Sequence, residues 1–356
     1  MRKKILAVNP GSTSTKIAVF DDWDLIYKEN VEHRVEDLEK YENIQDQFKM
    51  RKDAIMRILS DNGIDASEFA ATVGRGGILP PLKSGAYRVN EAMLDRLKNR
   101  PLVPHASALG AIIADAIAKP IGVSAYIYDS VSVDEMDDVA RISGMPEIKR
   151  TSLSHALNSR AMAFKVAEKA GCEYKNMNFI VAHLGGGISL SAHKQGKMVD
   201  IIADDEGPFS PERAGRVPCK KLIDLCYSGK WDKRTMQKKL RGKGGLSAYF
   251  ATTDARVIER RAKEGDAEAK LHFEAMGYQI AKGIGELATV LDGQVDAIVI
   301  TGGIAYSKMM TDYITKKVSF IAPIEVMAGE SEMEALAYGI LRVLNGEEKA
   351  RIYKED

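Results

Sequence analysis

Residues 5–20 read ILAVNPGSTSTKIAVF. Two apolar runs flank a turn holding Asn9, Gly11, Ser12, Thr13, Ser14, Thr15 and Lys16. Hydroxyls, backbone N–H groups and one ammonium gathered this closely suit the capture of an anion such as phosphate. The turn is not a G-x-x-x-x-G-K-[ST] P-loop. Counting back from Lys16, the required glycines fall on Pro10 and Thr15, and the required hydroxyl falls on Ile17. The residues after Lys16, IAVFDDWDLIYKEN, read as strand, turn and strand rather than as a helix. The spacing predicts a tight hairpin presenting hydroxyls and amides, with an ordinary Ser/Thr-rich turn as the alternative.

A second glycine turn repeats the pattern. FIVAHLGGGISLSAHKQGKMVDI, residues 179–201, is again strand, turn, strand, turn and strand. Placing His183 on Asn9 puts Gly185 on Gly11, an offset of 174 residues. Later, DAIVITGGIAYS (296–307) is a strand ending in a Gly-Gly turn, loosely parallel to GVSAYIYDS, which ends its strand at Asp129. Two halves that each open with such a hairpin suggest internal duplication, with a boundary and hinge near 145–155 around SGMPEIKRTS.

The elements between these motifs alternate. Apolar residues at helical spacing predict a helix over 37–62, stopped by Gly63. ATVGRGG (71–77) reads as a strand entering a glycine turn, Asn90 caps a helix over 91–99, and HASALGAIIADAIAKP forms a helix ended by Pro120. A long helix is expected over roughly 266–291. This is an α/β pattern with an antiparallel start.

Composition bounds the rest. At 356 residues, two domains are the default. Hydrophobic content of 45% with 28% charged residues is ordinary for a soluble globular protein. A net charge of +1 leaves no basic footprint for nucleic acid or membrane. The apolar run after MRKK is too short for a signal peptide, and no stretch approaches a membrane span. Cys172, Cys219 and Cys226 lack C-x-x-C spacing, which argues against disulfides and structural zinc and for a reducing cytoplasm.

Several motifs, in order along nearly the whole chain, resemble the acetokinase family. NPGSTSTK is similar to that family's N-x-G-S-S-S-x-K signature, VAHLGGGIS to its second, histidine-containing signature, and ITGGIA to its adenosine-side glycine motif. SHALNSRA, DDEGPFSPERAGRVP and GESEMEALAYGILRVL look closer to the butyrate branch than to the acetate branch. The resemblance implies an α/β fold of two duplicated actin-like, ribonuclease H-like domains with a nucleotide cleft between them. It implies an N-terminal ATPase-type domain at 1–150. It also implies a C-terminal domain at 151–340 that binds nucleotide and supplies an oligomer interface. The helix near 340–356 would return to the first domain. The expected reaction is ATP plus a short-chain carboxylate giving ADP and an acyl phosphate, with Mg²⁺ as cofactor.

A carboxylate of pKa about 4 to 5 is already ionised at neutral pH, so it needs charge screening rather than a base. By resemblance, Arg75 (VGRGG) and Arg216 (AGRVP) take the carboxylate and the moving phosphoryl group, a task that suits planar guanidinium. His155 supports the phosphoryl group, and His183 stands at the second phosphate loop with Gly185 and Gly187. Asn9, Ser12, Ser14 and Lys16 line the first phosphate hairpin. Asp254 and Arg256 (TTDARV) with Gly302 and Gly303 face the nucleoside. Asp129 is the expected magnesium-side carboxylate, acting through water. Glu332 is a weaker ligand candidate, and Ser331 with Glu334 reads as a capping box. Where acetate-branch members carry larger residues, this chain has Gly77 and Ser154, so an acyl pocket of Gly77, Ser154, His105 and Pro211 is expected to admit butyrate or a branched acid. Three rivals are an acetate or propionate kinase of the same family, an actin/Hsp70-type structural or chaperone ATPase, and a sugar kinase. The last would need an Asp base.

Overall fold

The structure, a computed structural model, describes residues 2–355. The chain forms two compact units, Met1–Asp134 with Ser331–Asp356, and Glu135–Glu330. The sequence reading set the division near 145–155. The crossing comes earlier because Asp134 N still donates to Leu82 O (2.7 Å), whereas Glu135 Oε2 accepts from Met198 N and Asp137 N donates to Val199 O.

The first unit opens with β1 (Lys4–Pro10), β2 (Ser14–Asp21) and β3 (Asp24–Glu32), paired antiparallel as a meander. Then come α1 (Val35–Leu38), α2 (Phe48–Asp61), β4 (Phe69–Gly74), β5 (Ala86–Arg88), α3 (Glu91–Asn99), α4 (Ala108–Ile121) and β6 (Ser124–Tyr128). The single helix expected over 37–62 is interrupted. Asp46 Oδ2 accepts from the Asn43 amide (3.2 Å), so this stretch forms a short 3₁₀ turn before α2 begins. Asn90 caps α3 through Met93 N (3.0 Å), as its position predicted. Pro120 does not end α4. The helix runs one residue further and stops at Gly122, whose φ of +75° glycine adopts readily.

The second unit contains α5 (Ala156–Lys169), β7 (Asn178–Leu184), β8 (Ile188–Lys194) and β9 (Lys197–Ile202). Short helices α6 (Cys219–Cys226), α7 (Lys233–Leu240), α8 (Leu246–Phe250) and α9 (Ala255–Lys263) precede the long α10 (Ala267–Val290). β10 (Ala297–Gly302), α11 (Lys308–Val318) and β11 (Ile324–Ala328) complete it. The chain then returns to the first unit as α12 (Glu332–Asn345) and β12 (Arg351–Ile352).

The two sheets share a topology. The first runs β12-β5-β6-β4-β1-β2-β3 and the second β11-β10-β7-β8-β9. In each, three antiparallel strands are followed by two parallel ones: β4 on β1 and β6 on β4, β10 on β7 and β11 on β10. This repeated ribonuclease H-like order is what a duplicated sequence would produce. Each unit has its own core. Leu6, Val8, Ile17 and Val19 pack with Ile55, Leu59 and Ile113 in the first. Ile180 and Leu190 pack with Phe273, Ile280 and Ile314 in the second. In each unit the strand ends carry the polar motifs.

Candidate active site

In the first unit, β1 delivers Asn9 and the turn after β4 delivers Arg75, whose amide is fixed by Val8 O (3.0 Å). Both side chains converge on Glu332, the first residue of α12. Asn9 Nδ2 donates to Glu332 Oε2 (2.6 Å), and the Arg75 guanidinium pairs with Oε1. The sequence alone did not separate the acidic residues near 330, and the structure does. Glu332 joins Asn9 and Arg75, Glu330 Oε1 lies 3.5 Å from His183 Nε2, and Glu334 Oε2 is buried with no hydrogen-bond partner. The capping-box reading of Ser331 and Glu334 is corrected, since Ser331 makes no side-chain cap bond.

Asp129 follows β6 with φ of +40°, is buried, and accepts from Gly85 N at 2.7 Å. Ser12 and Lys16 are exposed on the first hairpin and Ser14 is half-buried. His105 is exposed, its Nδ1 2.7 Å from Ser107 Oγ. Gly77 does not open an acyl pocket. Its φ is +69°, and a Cβ there would lie 2.8 Å from Ala108 Cα and 3.0 Å from Leu97 Cδ2. Glycine is required by the turn and by the close approach of α4, which a sequence alignment cannot reveal.

In the second unit, His155 and His183 stack with ring centroids 3.9 Å apart and planes at 12°. His155 stands at the start of α5, its Nδ1 2.9 Å from Ser189 Oγ. His183, at the end of β7, is buried, and its Nδ1 lies 3.0 Å from Asn158 Nδ2. Asn158 also donates to Thr301 Oγ1 (3.1 Å), which donates to Gly329 O (3.1 Å). Asn158 escaped the sequence reading, although it lies three residues after His155 in the same motif, one helical turn on.

Gly185, Asp254, Arg256 and Gly303 line one cavity of about 790 Å³, together with Gly186, Ile304 and Tyr306. Such a volume suits a nucleoside-sized ligand. Gly302 precedes the lining residue Gly303 but does not itself line the cavity. Its φ is +90°, and a Cβ would sit 2.4 Å from Leu184 O. Gly187 is packed against Arg213, whose guanidinium a Cβ would meet at 2.7 Å. Asp254 caps α9 and is clasped by Arg256 (2.9 and 2.7 Å), whose hydrogen bonds hold the carboxyl down to about 2. Pro211, expected in the acyl pocket, borders this cavity instead. Ser154 is buried, its Oγ without a hydrogen-bond partner. Arg216 is not free for substrate here. It forms a bidentate pair with Glu286 of α10 (2.7 and 2.9 Å) and donates from Nε to Glu206 O (2.7 Å).

Comparison with known proteins decides the family. The family model described as "Acetokinase family" matches residues 150–327. Butyrate kinase 2 of Clostridium acetobutylicum is 53% identical over 99% of this chain and 100% of its own length. The chain belongs to the acetokinase family. Butyrate kinase 1 of the same organism is 49% identical over 99% of each chain. Among solved structures, acetate kinase of Porphyromonas gingivalis aligns with a TM-score of 0.81 at 19% identity, covering 96% of this chain and all of that one. A propionate kinase of Francisella tularensis aligns at 0.75 with 19% identity, covering 95% and 98%. These structures share the two-domain actin-like fold that the duplicated topology indicated.

For an acetokinase-family member the arrangement is chemically coherent. The first unit carries a guanidinium able to grip a carboxylate, as its hold on Glu332 illustrates. The second offers a nucleoside-sized cavity bordered by glycines. Among the described residues no group of three or more His, Cys, Asp or Glu forms a metal site. No helix among the described residues is long and apolar enough to cross a membrane.

Proposed function

We infer that the chain is an ATP-dependent kinase of short-chain carboxylates and that its substrate is butyrate or a branched acid of similar length. A carboxylate oxygen attacks the γ-phosphorus, the bond from phosphorus to the β–γ bridging oxygen breaks, and ADP leaves with that electron pair. No base is needed. Arg75 grips the carboxylate, exchanging Glu332 for substrate, and Arg216 screens the transferring group after releasing Glu286. The His155–His183 stack lies on the phosphoryl side, and Gly185, Asp254, Arg256 and Gly303 face the nucleoside. Mg²⁺ is the divalent ion in this reading, and it neutralises phosphate charge when bound. Asp129 and Glu332 would hold it through water.

The observation that carries the substrate is the 53% identity with Butyrate kinase 2 over the whole chain. Hydroxylamine trapping of acyl phosphate across C2 to C6 acids tests it. Two further buried methylenes at about 0.8 kcal/mol each favour butyrate over acetate by roughly fifteenfold in kcat/KM. A preference for acetate overturns the substrate, and no hydroxamate with any acid overturns the carboxylate-kinase reading. We further read the protein as a cytoplasmic homo-oligomer, which sedimentation velocity checks for assembly.

A further inference from the structure

Arg51, on α2, is fully buried beneath the first hairpin. Its Nη1 donates to Gly11 O (2.9 Å), Ser14 O (3.0 Å) and Thr15 Oγ1 (3.0 Å). Its Nη2 donates to Ser12 O (2.9 Å) and Gln47 Oε1 (2.9 Å), and its Nε to the same Gln47 oxygen (3.2 Å). Every one of these acceptors is neutral. Burial lowers the guanidinium to about 10, so it stays cationic at neutral pH. A buried cation without a carboxylate is costly, and here only carbonyl and hydroxyl dipoles offset it.

Apart from the Gln47 amide, those dipoles belong to the turn between β1 and β2 and to the first residues of β2. Drawing the carbonyls of Gly11, Ser12 and Ser14 onto one guanidinium fixes their direction and so that of the intervening peptide planes. Ser12 and Thr13 are exposed, and among the described residues nothing accepts from their amides. Lys16 pairs with Asn9 across the hairpin, which puts both side chains on one face.

We propose that Arg51 is the positioning residue of the phosphate hairpin: it holds the turn's carbonyls inward so that the Ser12 and Thr13 amides and Lys16 meet the polyphosphate of the nucleotide. The proposal rests on the kinase reading above. Arg51 touches no substrate and acts through the turn it braces.

The test compares the full chain with Arg51→Lys and Arg51→Met. Circular dichroism checks folding, ligand-observed NMR measures adenosine binding, and calorimetry measures ADP and ATP binding. Adenosine should bind the folded variants as it binds wild type. ADP and ATP should bind about tenfold or more weakly, the loss expected from misplaced charge-assisted hydrogen bonds. KM should rise for ATP and stay level for the carboxylate. Folded variants that bind ADP like wild type overturn the proposal. So does equal loss of adenosine and ADP, which marks a merely structural arginine. If both variants fail to fold, Gln47→Leu decides by the same criteria, because it keeps Arg51 but removes two of its anchoring bonds. A wild-type chain that binds no adenine nucleotide overturns the kinase reading, and the proposal with it.

Discussion

Glu332 Oε2 accepts a 2.6 Å hydrogen bond from Asn9 Nδ2, across 323 residues of sequence, while its Oε1 takes the Arg75 guanidinium. A carboxylate at the start of α12 thus occupies the cation that we propose grips the substrate carboxylate. Replacing Arg75 by Ala should lower kcat/KM by about 10² to 10³, the loss typical of one preorganised donor. Lys at this position should recover little of it, having no planar fork. Glu332→Gln should lower kcat and raise the Mg²⁺ needed for half-maximal rate, without raising KM for the carboxylate. Steady-state kinetics with varied Mg²⁺ measures both, and a wild-type rate in folded Arg75→Ala removes that residue from the mechanism.

Arg216 and Glu286 are roughly half-exposed, so their ion pair contributes about 0–1 kcal/mol to stability. Arg216→Ala should therefore unfold within a few degrees of wild type while turnover falls by orders of magnitude. Glu286→Gln, which frees the guanidinium, should keep turnover near wild type. Thermal melts paired with initial rates distinguish a catalytic arginine from a structural one.

Two glycines should respond in opposite ways. Gly77→Val meets Ala108 and a positive φ, so it should cost about 2–4 kcal/mol and slow all acids together, leaving the butyrate-to-acetate ratio unchanged. A Cβ at Gly303 would meet nothing within 4 Å. Gly303→Ala should stay within about 0.5 kcal/mol of wild type in urea. It should still raise KM for ATP, because Gly303 lines the 790 Å³ cavity.

Acid should weaken the fold through two histidines, the buried His193 and the half-buried His33. His193, held by Tyr174 Oη and Ser191 Oγ (both 2.8 Å), is driven by burial from 6.5 to about 3. His33, beside Thr15 Oγ1, is lowered to about 4 by burial and then by Arg51. The unfolded chain takes up these protons near pH 6.5 and the folded chain does not. Stability is therefore fully present above pH 6.5 and falls as pH drops towards those lower values. At pH 5 His193 alone should cost about 2 kcal/mol. Urea unfolding at pH 7.5 and pH 5 measures the loss, and His193→Gln should remove its share.

The sequence by itself determined the parts that are local along the chain. β1–β2–β3, β7–β8–β9, the cap at Asn90 and the duplicated order were legible because alternation, glycine turns and capping residues act over a few positions. The glycines and polar residues around the nucleoside-sized cavity were legible for the same reason, since Gly185, the Asp254–Arg256 pair and Gly303 sit in three distinct short motifs. Only the tertiary structure decided which of three neighbouring glutamates meets Asn9 and Arg75, that Arg216 is clasped by Glu286, and that Arg51 lies beneath the first hairpin. It also decided that Gly77 faces Ala108 rather than open space. Each of these depends on which distant segment arrives at a given point, and on the angle and depth at which it packs. Those are set by the burial of whole sheets and helices, and no short stretch of sequence encodes them.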